Sequence, residues 1–250
     1  MITLQIAARR RTYAEAFFIL VALWFSLLAI FHAWPMIDIR ISALFFSSPL
    51  CMELSPGNSC GSFTIGAETW ARTLRWTLYA LPYVAAATIL AALVLAGVSR
   101  RVRNYLPVRR LWLSLASLGV SAGLITSLLF KEQFGRPRPS QTDLFGGQMT
   151  FMPAGSFGGA CERNCSFISG EASGAGWLIG LLLLLPPRYR TWIAPPVIIA
   201  SVTTAALRVV VGAHYASDAT LGVLVSVTVF AGMLALEEAI DERKGGIRIG

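Results

Sequence analysis

The stretch WTLYALPYVAAATILAALVLAGV, Trp76–Val98, runs for 23 residues without an Asp, Glu, Lys or Arg. A helix rises 1.5 Å per residue and satisfies its own backbone hydrogen bonds, so about 20 apolar residues in that form reach across a hydrocarbon core of roughly 30 Å. This run predicts a membrane-spanning helix. Working outward from it, five more apolar runs follow: Ala14–Trp34, Leu111–Phe130, Ala172–Pro186, Trp192–Ala213 and Ser217–Leu236, of which Ala172–Pro186 is short. The expected fold class is all-α, an integral membrane bundle of six transmembrane helices forming a single domain over residues 1–250.

Composition agrees. Hydrophobic residues make up 55% of the chain and charged residues 14%, against roughly 25% charged in an ordinary soluble domain. The runs lack polar faces at helical spacing, which excludes amphipathic helices of a soluble core. Arg9, Arg10 and Arg11 precede the first run as in a secretory signal, but that run is too long and no small-x-small cleavage site follows it. It is expected to remain as an anchor.

Positively charged connections are retained on the cytoplasmic side. With the N-terminus inside, thirteen Lys and Arg fall in the termini and in the connections around Arg100–Arg110 and Arg188–Arg190, and eight fall on the other side. Both termini are therefore expected in the cytoplasm of a multi-pass inner-membrane protein. The net charge of +8 is accounted for by this topology and by anionic lipid, so no nucleic-acid partner is expected. Cys51, Cys60, Cys161 and Cys165 all fall in the outer loops, where disulfides are expected; the sequence does not separate the three possible connectivities, of which local pairing is preferred, and the spacing fits no common zinc pattern.

Three short stretches carry chemistry, all at the outer ends of runs. The first, residues 131–139, is Lys131-Glu-Gln-Phe-Gly-Arg-Pro-Arg138-Pro139, a loop stiffened by two prolines. A guanidinium fork beside an ammonium point charge suits phosphate oxygens; the plain alternative is a lysine and an arginine snorkelling to the membrane surface. The second, residues 165–174, runs from Cys165 through Ser169, Gly170 and Glu171 into the fourth run. Ser169 and Gly170 then lie at a helix N-terminus, where amides and the dipole favour an anion; an ordinary serine cap reads the same way.

The third, residues 208–218, places Arg208 inside an apolar run, followed by His214 and Asp218. A buried arginine in a membrane segment normally faces a polar site, at a cost of about 2.5–3.5 kcal/mol on insertion scales. His214 and Asp218 are four apart and share a helical face, so the carboxylate is expected to fix the tautomer of the imidazole. Arg208 and His214, six apart, fall on different faces of a continuous helix, which predicts a break near Gly212. Taken alone, one histidine near a membrane surface is more often a packing residue than a nucleophile.

The order K-x6-R-P, then S-G, then R-x5-H-x3-D resembles the tripartite signature of the type 2 phosphatidic acid phosphatase family, and Pro35–Phe45 is similar to the first outer loop of its bacterial membrane branch. The resemblance implies that His214 attacks phosphorus to give a phosphohistidine, with Asp218 orienting it. Lys131, Arg138, Arg208 and the amides at Ser169 and Gly170 would hold the phosphate oxygens. It also implies a periplasmic active site, no metal and no cofactor, and no metal-ligand motif is visible in the sequence.

Three positions depart from the family pattern: Ile168, Glu171 and Leu207 stand where it usually has P, H and S. The family histidine protonates the leaving alkoxide. Glu171 is read as its replacement, a protonated catalytic acid; pairing with Arg163 or Arg136, a dipole role pointing away, or replacement of the acid by His32 are the alternatives. The paired cysteines and Ser-Gly-Glu look like the lipid A phosphatases, especially those acting at the 4' position. Undecaprenyl diphosphate, phosphatidylglycerol phosphate and phosphatidic acid are the other candidate substrates. A phosphotransferase using the same histidine, or a silent lipid-binding homologue, is the alternative function, and the oligomeric state is open.

Overall fold

The computed structural model describes residues 2–47 and 61–246, with side chains from 13 to 47 and from 61 to 243. Cys51 and Cys60 lie outside the described residues. Nine α-helices follow in order among those described. α1 (Ile2–Ala33) leads to the short α2 (Met36–Ala43); α3 (Thr69–Val98) is followed by α4 (Arg100–Tyr105) and α5 (Val108–Leu118). α5 continues as a π-helical segment, Gly119–Phe130, into the one-turn α6 (Lys131–Phe134). After a long loop come α7 (Gly170–Leu181), α8 (Pro187–Val210) and α9 (Ala216–Gly246).

Among the described residues, five helices are long and apolar enough to cross a membrane: Tyr13–Ala33, Thr69–Val98, Val108–Gln141, Pro187–Val210 and Ala216–Arg243. The remaining run, Gly170–Leu184, is shorter. At 1.5 Å per residue it reaches about 22 Å, less than the hydrocarbon thickness. Its position accounts for this, because α7 packs against α3, α5, α8, α9 and the π-helical segment and buries Ala172 through Trp177. A helix enclosed by other helices needs no lipid-length surface.

Small residues make that enclosure possible. A Cβ on Gly176 would stand 2.2 Å from the Val223 carbonyl of α9, and one on Gly180 would enter the Phe230 ring. Association inside a bilayer relies on such close packing and on hydroxyls bonding between helices. Ser173 shares a 2.7 Å hydrogen bond with Ser226, Thr126 donates to Ser173 Oγ at 3.3 Å, and the Trp177 indole donates to the Ser114 carbonyl at 2.7 Å.

The antiparallel order gathers α2, residues 61–67, the loop 135–169 and the α8–α9 turn at one end. The arginine-rich connections, Arg100–Arg110 and Arg188–Arg190, lie at the other, where Arg110 and Arg109 pair with Glu237 and Asp241 of α9. The expected break is present: α8 stops at Val210, and Gly212 turns the chain with φ +67°, its Cα against the Phe63 ring. The disulfide Cys161–Cys165 closes part of the long loop.

Candidate active site

Beneath that end lies a polar cavity of about 370 Å3. Lys131, Arg138, Arg208 and Arg75 line it, together with Glu171 and His214. Three of these cations were expected there, and a different element delivers each: Lys131 from the first residue of α6, Arg138 from the proline-stiffened loop and Arg208 from the last turn of α8. Arg208 is 6% exposed, and its Nε is buried without a hydrogen-bond partner among the described residues. A guanidinium held dry with a spare donor is suited to an anion.

Asn164 organises the mouth. Its Oδ1 accepts from Lys131 Nζ at 2.8 Å and its carbonyl accepts from Arg138 Nη2 at 2.9 Å. The residue has φ +50°, a left-handed conformation that asparagine tolerates, inside the loop closed by the disulfide. Sequence reasoning passed over Asn164, and only its place between two cysteines marked it.

His214 is 2% exposed. Its Nδ1 lies 2.8 Å from the carbonyl oxygen of Ser166. A carbonyl can only accept, so Nδ1 carries the proton and Nε2 keeps a free lone pair. Burial, then the positive charges of Arg208, Lys131 and Arg138, push the imidazole well below its ordinary value. It is therefore neutral at pH 7, in the form that can attack an electrophile.

Asp218 does not contact the imidazole as expected: the nearest carboxylate oxygen is 4.0 Å from Nδ1. The reason is competition. Asp218 Oδ2 accepts from Ser166 Oγ at 2.5 Å and from the Tyr215 amide at 3.0 Å, while Oδ1 accepts from Arg136 Nη1 at 2.5 Å. Asp218 thus holds the residue whose carbonyl holds the histidine. Arg136, fully buried, also donates to Asp38 Oδ2 at 2.8 Å, to Ser217 Oγ at 2.8 Å and to the Met152 carbonyl at 2.9 Å, and lies over the Tyr215 ring. Asp38 returns to α9 by accepting from the Ser217 amide at 2.9 Å. α2, the loop and α9 are tied together here by a cation between two carboxylates.

Ser169 is beside the cavity and does not line it. Its hydroxyl caps α7 by accepting from the Ala172 amide at 3.4 Å, and its own amide donates to the Asp218 carbonyl at 3.0 Å. Gly170 lines the cavity, so the N-terminus of α7 faces it.

The expectations for Glu171 are corrected. Its partner is neither Arg163, which is exposed, nor Arg136, which is committed to Asp38 and Asp218. Glu171 Oε1 accepts from Arg75 Nη2 at 2.5 Å and from Nε at 3.2 Å, Oε2 accepts from Nε at 3.2 Å, and Arg208 Nη1 lies 3.4 Å from Oε1. With the Arg75 guanidinium donating to both oxygens and that of Arg208 at ion-pair distance, Glu171 serves as an acceptor in this arrangement. His32 does not take the acid's place either: its ring bonds the Ala154 carbonyl at 2.9 Å and does not line the cavity. Arg75 was missed, although Arg75, Tyr79 and Tyr83 repeat every four residues on α3 and all line the cavity. That ladder was visible in the sequence.

The family model described as "PAP2 superfamily" matches residues 110–240. A Lipid A 4'-phosphatase of Rhizobium etli is 42% identical over 94% of this chain and 93% of its own length, and one of Rhizobium leguminosarum is 42% identical over 89% and 96%. A Lipid A 4'-phosphatase of Francisella tularensis subsp. novicida is 27% identical over 77% of this chain and 85% of its own. Among solved structures, the transmembrane PAP2 type phosphatidylglycerolphosphate phosphatase of Bacillus subtilis superposes with a TM-score of 0.56 at 18% identity, covering 88% of this chain and 95% of that one, a likeness of fold. With the family match spanning the three motifs and close relatives along nearly its whole length, the chain belongs to the PAP2 superfamily and is a membrane-embedded phosphatase of it.

Proposed function

We propose that this protein removes a phosphate from lipid A, at the 4' position, with His214 as nucleophile. The observation that carries the chemistry is the donation of the His214 Nδ1 proton to the Ser166 carbonyl, which turns a free Nε2 lone pair toward a cavity lined by four cations. The Nε2 lone pair forms a bond to phosphorus and the P–O bond breaks, its electron pair passing to the leaving oxygen, which takes a proton from water. The hydroxide left by that water then attacks phosphorus, and the N–P bond electrons return to Nε2 as hydrogen phosphate leaves. Lys131, Arg138, Arg208 and the α7 N-terminus stabilise charge on the equatorial oxygens in both steps. The choice of lipid A is supported by the two relatives at 42% identity.

The orientation proposed keeps both termini in the cytoplasm, with α7 completing six spans and the cavity at the periplasmic face of the inner membrane. The basic connections at the opposite end of the bundle support it.

The test is phosphate release by purified protein in detergent containing EDTA, from lipid A, undecaprenyl diphosphate, phosphatidylglycerol phosphate and phosphatidic acid. Wild type releases phosphate, most rapidly from lipid A, and forms an acid-labile phosphoenzyme from 32P-labelled substrate; His214→Ala does neither. Turnover by His214→Ala, or release that EDTA abolishes, overturns the mechanism.

A further inference from the structure

The polar cavity adjoins a second cavity of about 330 Å3 between α3 and the π-helical segment, lined by apolar groups such as Pro82, Leu118, Gly119 and Gly123. Tyr79, Tyr83, Ser127 and Glu171 line both. A phosphoryl group among the cations and an acyl chain in the apolar cavity leave the junction to whatever is bonded to the leaving oxygen. The side chains there describe its chemistry.

A second phosphate fits poorly. Glu171 takes up Arg75 through both Nε and Nη2 and stands 3.4 Å from Arg208 Nη1, which leaves Lys131, Arg138 and the unpartnered Nε of Arg208 for one phosphoryl group. A carboxylate at the junction also opposes a further negative charge. Neutral hydrogen-bonding groups fit well. The Tyr79 and Tyr83 hydroxyls are 2.8 Å apart, so one phenolic proton is used between them and the other is free to donate. Glu171 Oε2, with one 3.2 Å contact to Arg75, retains lone-pair capacity for a hydroxyl or amide. Along α3, Arg75, Tyr79 and Tyr83 descend in steps of about 6 Å, the dimension of a pyranose ring.

We propose that Tyr79, Tyr83 and Glu171 form a subsite for an uncharged sugar ring bearing hydroxyl and amide groups, and that Glu171, by occupying Arg75, keeps a second phosphate out of the junction. The inference rests on the phosphatase reading above. Tyr79 and Tyr83 lie outside the three motifs, and Glu171 stands where the family usually has histidine.

The experiment measures kcat/KM of the full-length protein in detergent on three probes: an acylated glucosamine disaccharide 4'-monophosphate, dioleoyl phosphatidic acid and undecaprenyl diphosphate. The readout is the ratio between probes, which does not depend on the fraction of each preparation that is folded. Tyr79→Phe with Tyr83→Phe lowers the ratio of sugar probe to phosphatidic acid about tenfold, mainly through KM, the loss of one or two neutral hydrogen bonds. Glu171→Gln raises undecaprenyl diphosphate relative to the sugar probe at least tenfold, because Arg75 is uncovered. Ratios that stay within twofold of wild type overturn the subsite while leaving the phosphatase reading intact. Absence of release from every probe by wild type overturns both.

Discussion

The Nδ1 proton of His214 is held by the backbone carbonyl of Ser166, 2.8 Å away, while the carboxylate four residues further along the chain stands off at 4.0 Å. The imidazole is oriented by main chain, and the acidic residue acts one step removed, by fixing Ser166. Asp218→Asn is therefore expected to lower kcat roughly 100-fold, less than the roughly 10⁴-fold loss where an aspartate bonds its histidine directly. Ser166→Ala keeps the carbonyl but loses the 2.5 Å bond to Asp218, and is expected to cost about tenfold in kcat. An unchanged kcat in Ser166→Ala would break the proposed chain of contacts.

Arg136 is clamped between Asp38 and Asp218 with none of the three exposed. Removing one partner from a buried pair leaves a charge without compensation and typically costs about 3–5 kcal/mol. Arg136→Met leaves two facing carboxylates, and Asp38→Asn leaves the cation half-compensated. Both are expected to lower the thermal midpoint in detergent, Arg136→Met the more, followed by intrinsic Trp fluorescence. Midpoints within 1 °C of wild type would show the network to be dispensable.

The pH dependence follows from His214. Its folded-state pKa is depressed by burial and by Arg208, Lys131 and Arg138, so the neutral, nucleophilic form persists as pH falls past the ordinary histidine value of 6.5. Activity is then lost only when the pH passes through the depressed value. The acid limb of kcat/KM, which reports the free enzyme, is expected below pH 6.5, and Arg138→Gln is expected to move it upward. A limb at or above 6.5 in wild type would contradict a buried neutral nucleophile.

Asn164 joins Lys131 to Arg138 from inside the Cys161–Cys165 loop. Asn164→Ala is expected to reduce kcat/KM about tenfold, the size of one hydrogen bond to a charged group. Cys161→Ser with Cys165→Ser is expected to reduce it several-fold with little change in the thermal midpoint, since the loop is short and lies over the site. Steady-state assays beside a melting curve separate the two effects.

Much of the fold was legible because a membrane span must supply about 20 apolar residues in one unbroken stretch, and such runs stand out without knowledge of their neighbours. The short Gly170–Leu184 segment was harder to interpret, since its brevity makes sense only once the surrounding helices bury it. The motifs located Lys131, Arg138, Gly170, Arg208 and His214, because phosphate chemistry demands those side chains at set spacings. Asp38 was noticed only as part of a similar loop, and Arg75 was counted as a topological charge.

What the sequence determined by itself was therefore composition, order and the local motifs: the apolar runs, the break at Gly212, the cation-bearing stretches and the histidine. What only the tertiary structure decided was partnership. Glu171 finds Arg75 across 96 positions, Asp38 finds Ser217 across 179, and Asp218 turns to Arg136 and Ser166 and leaves its helical neighbour His214 to a carbonyl. A buried charge must be met by whichever opposite charge or donor the packing brings within about 3 Å, and packing distances between helices are not written in the spacing along any one of them.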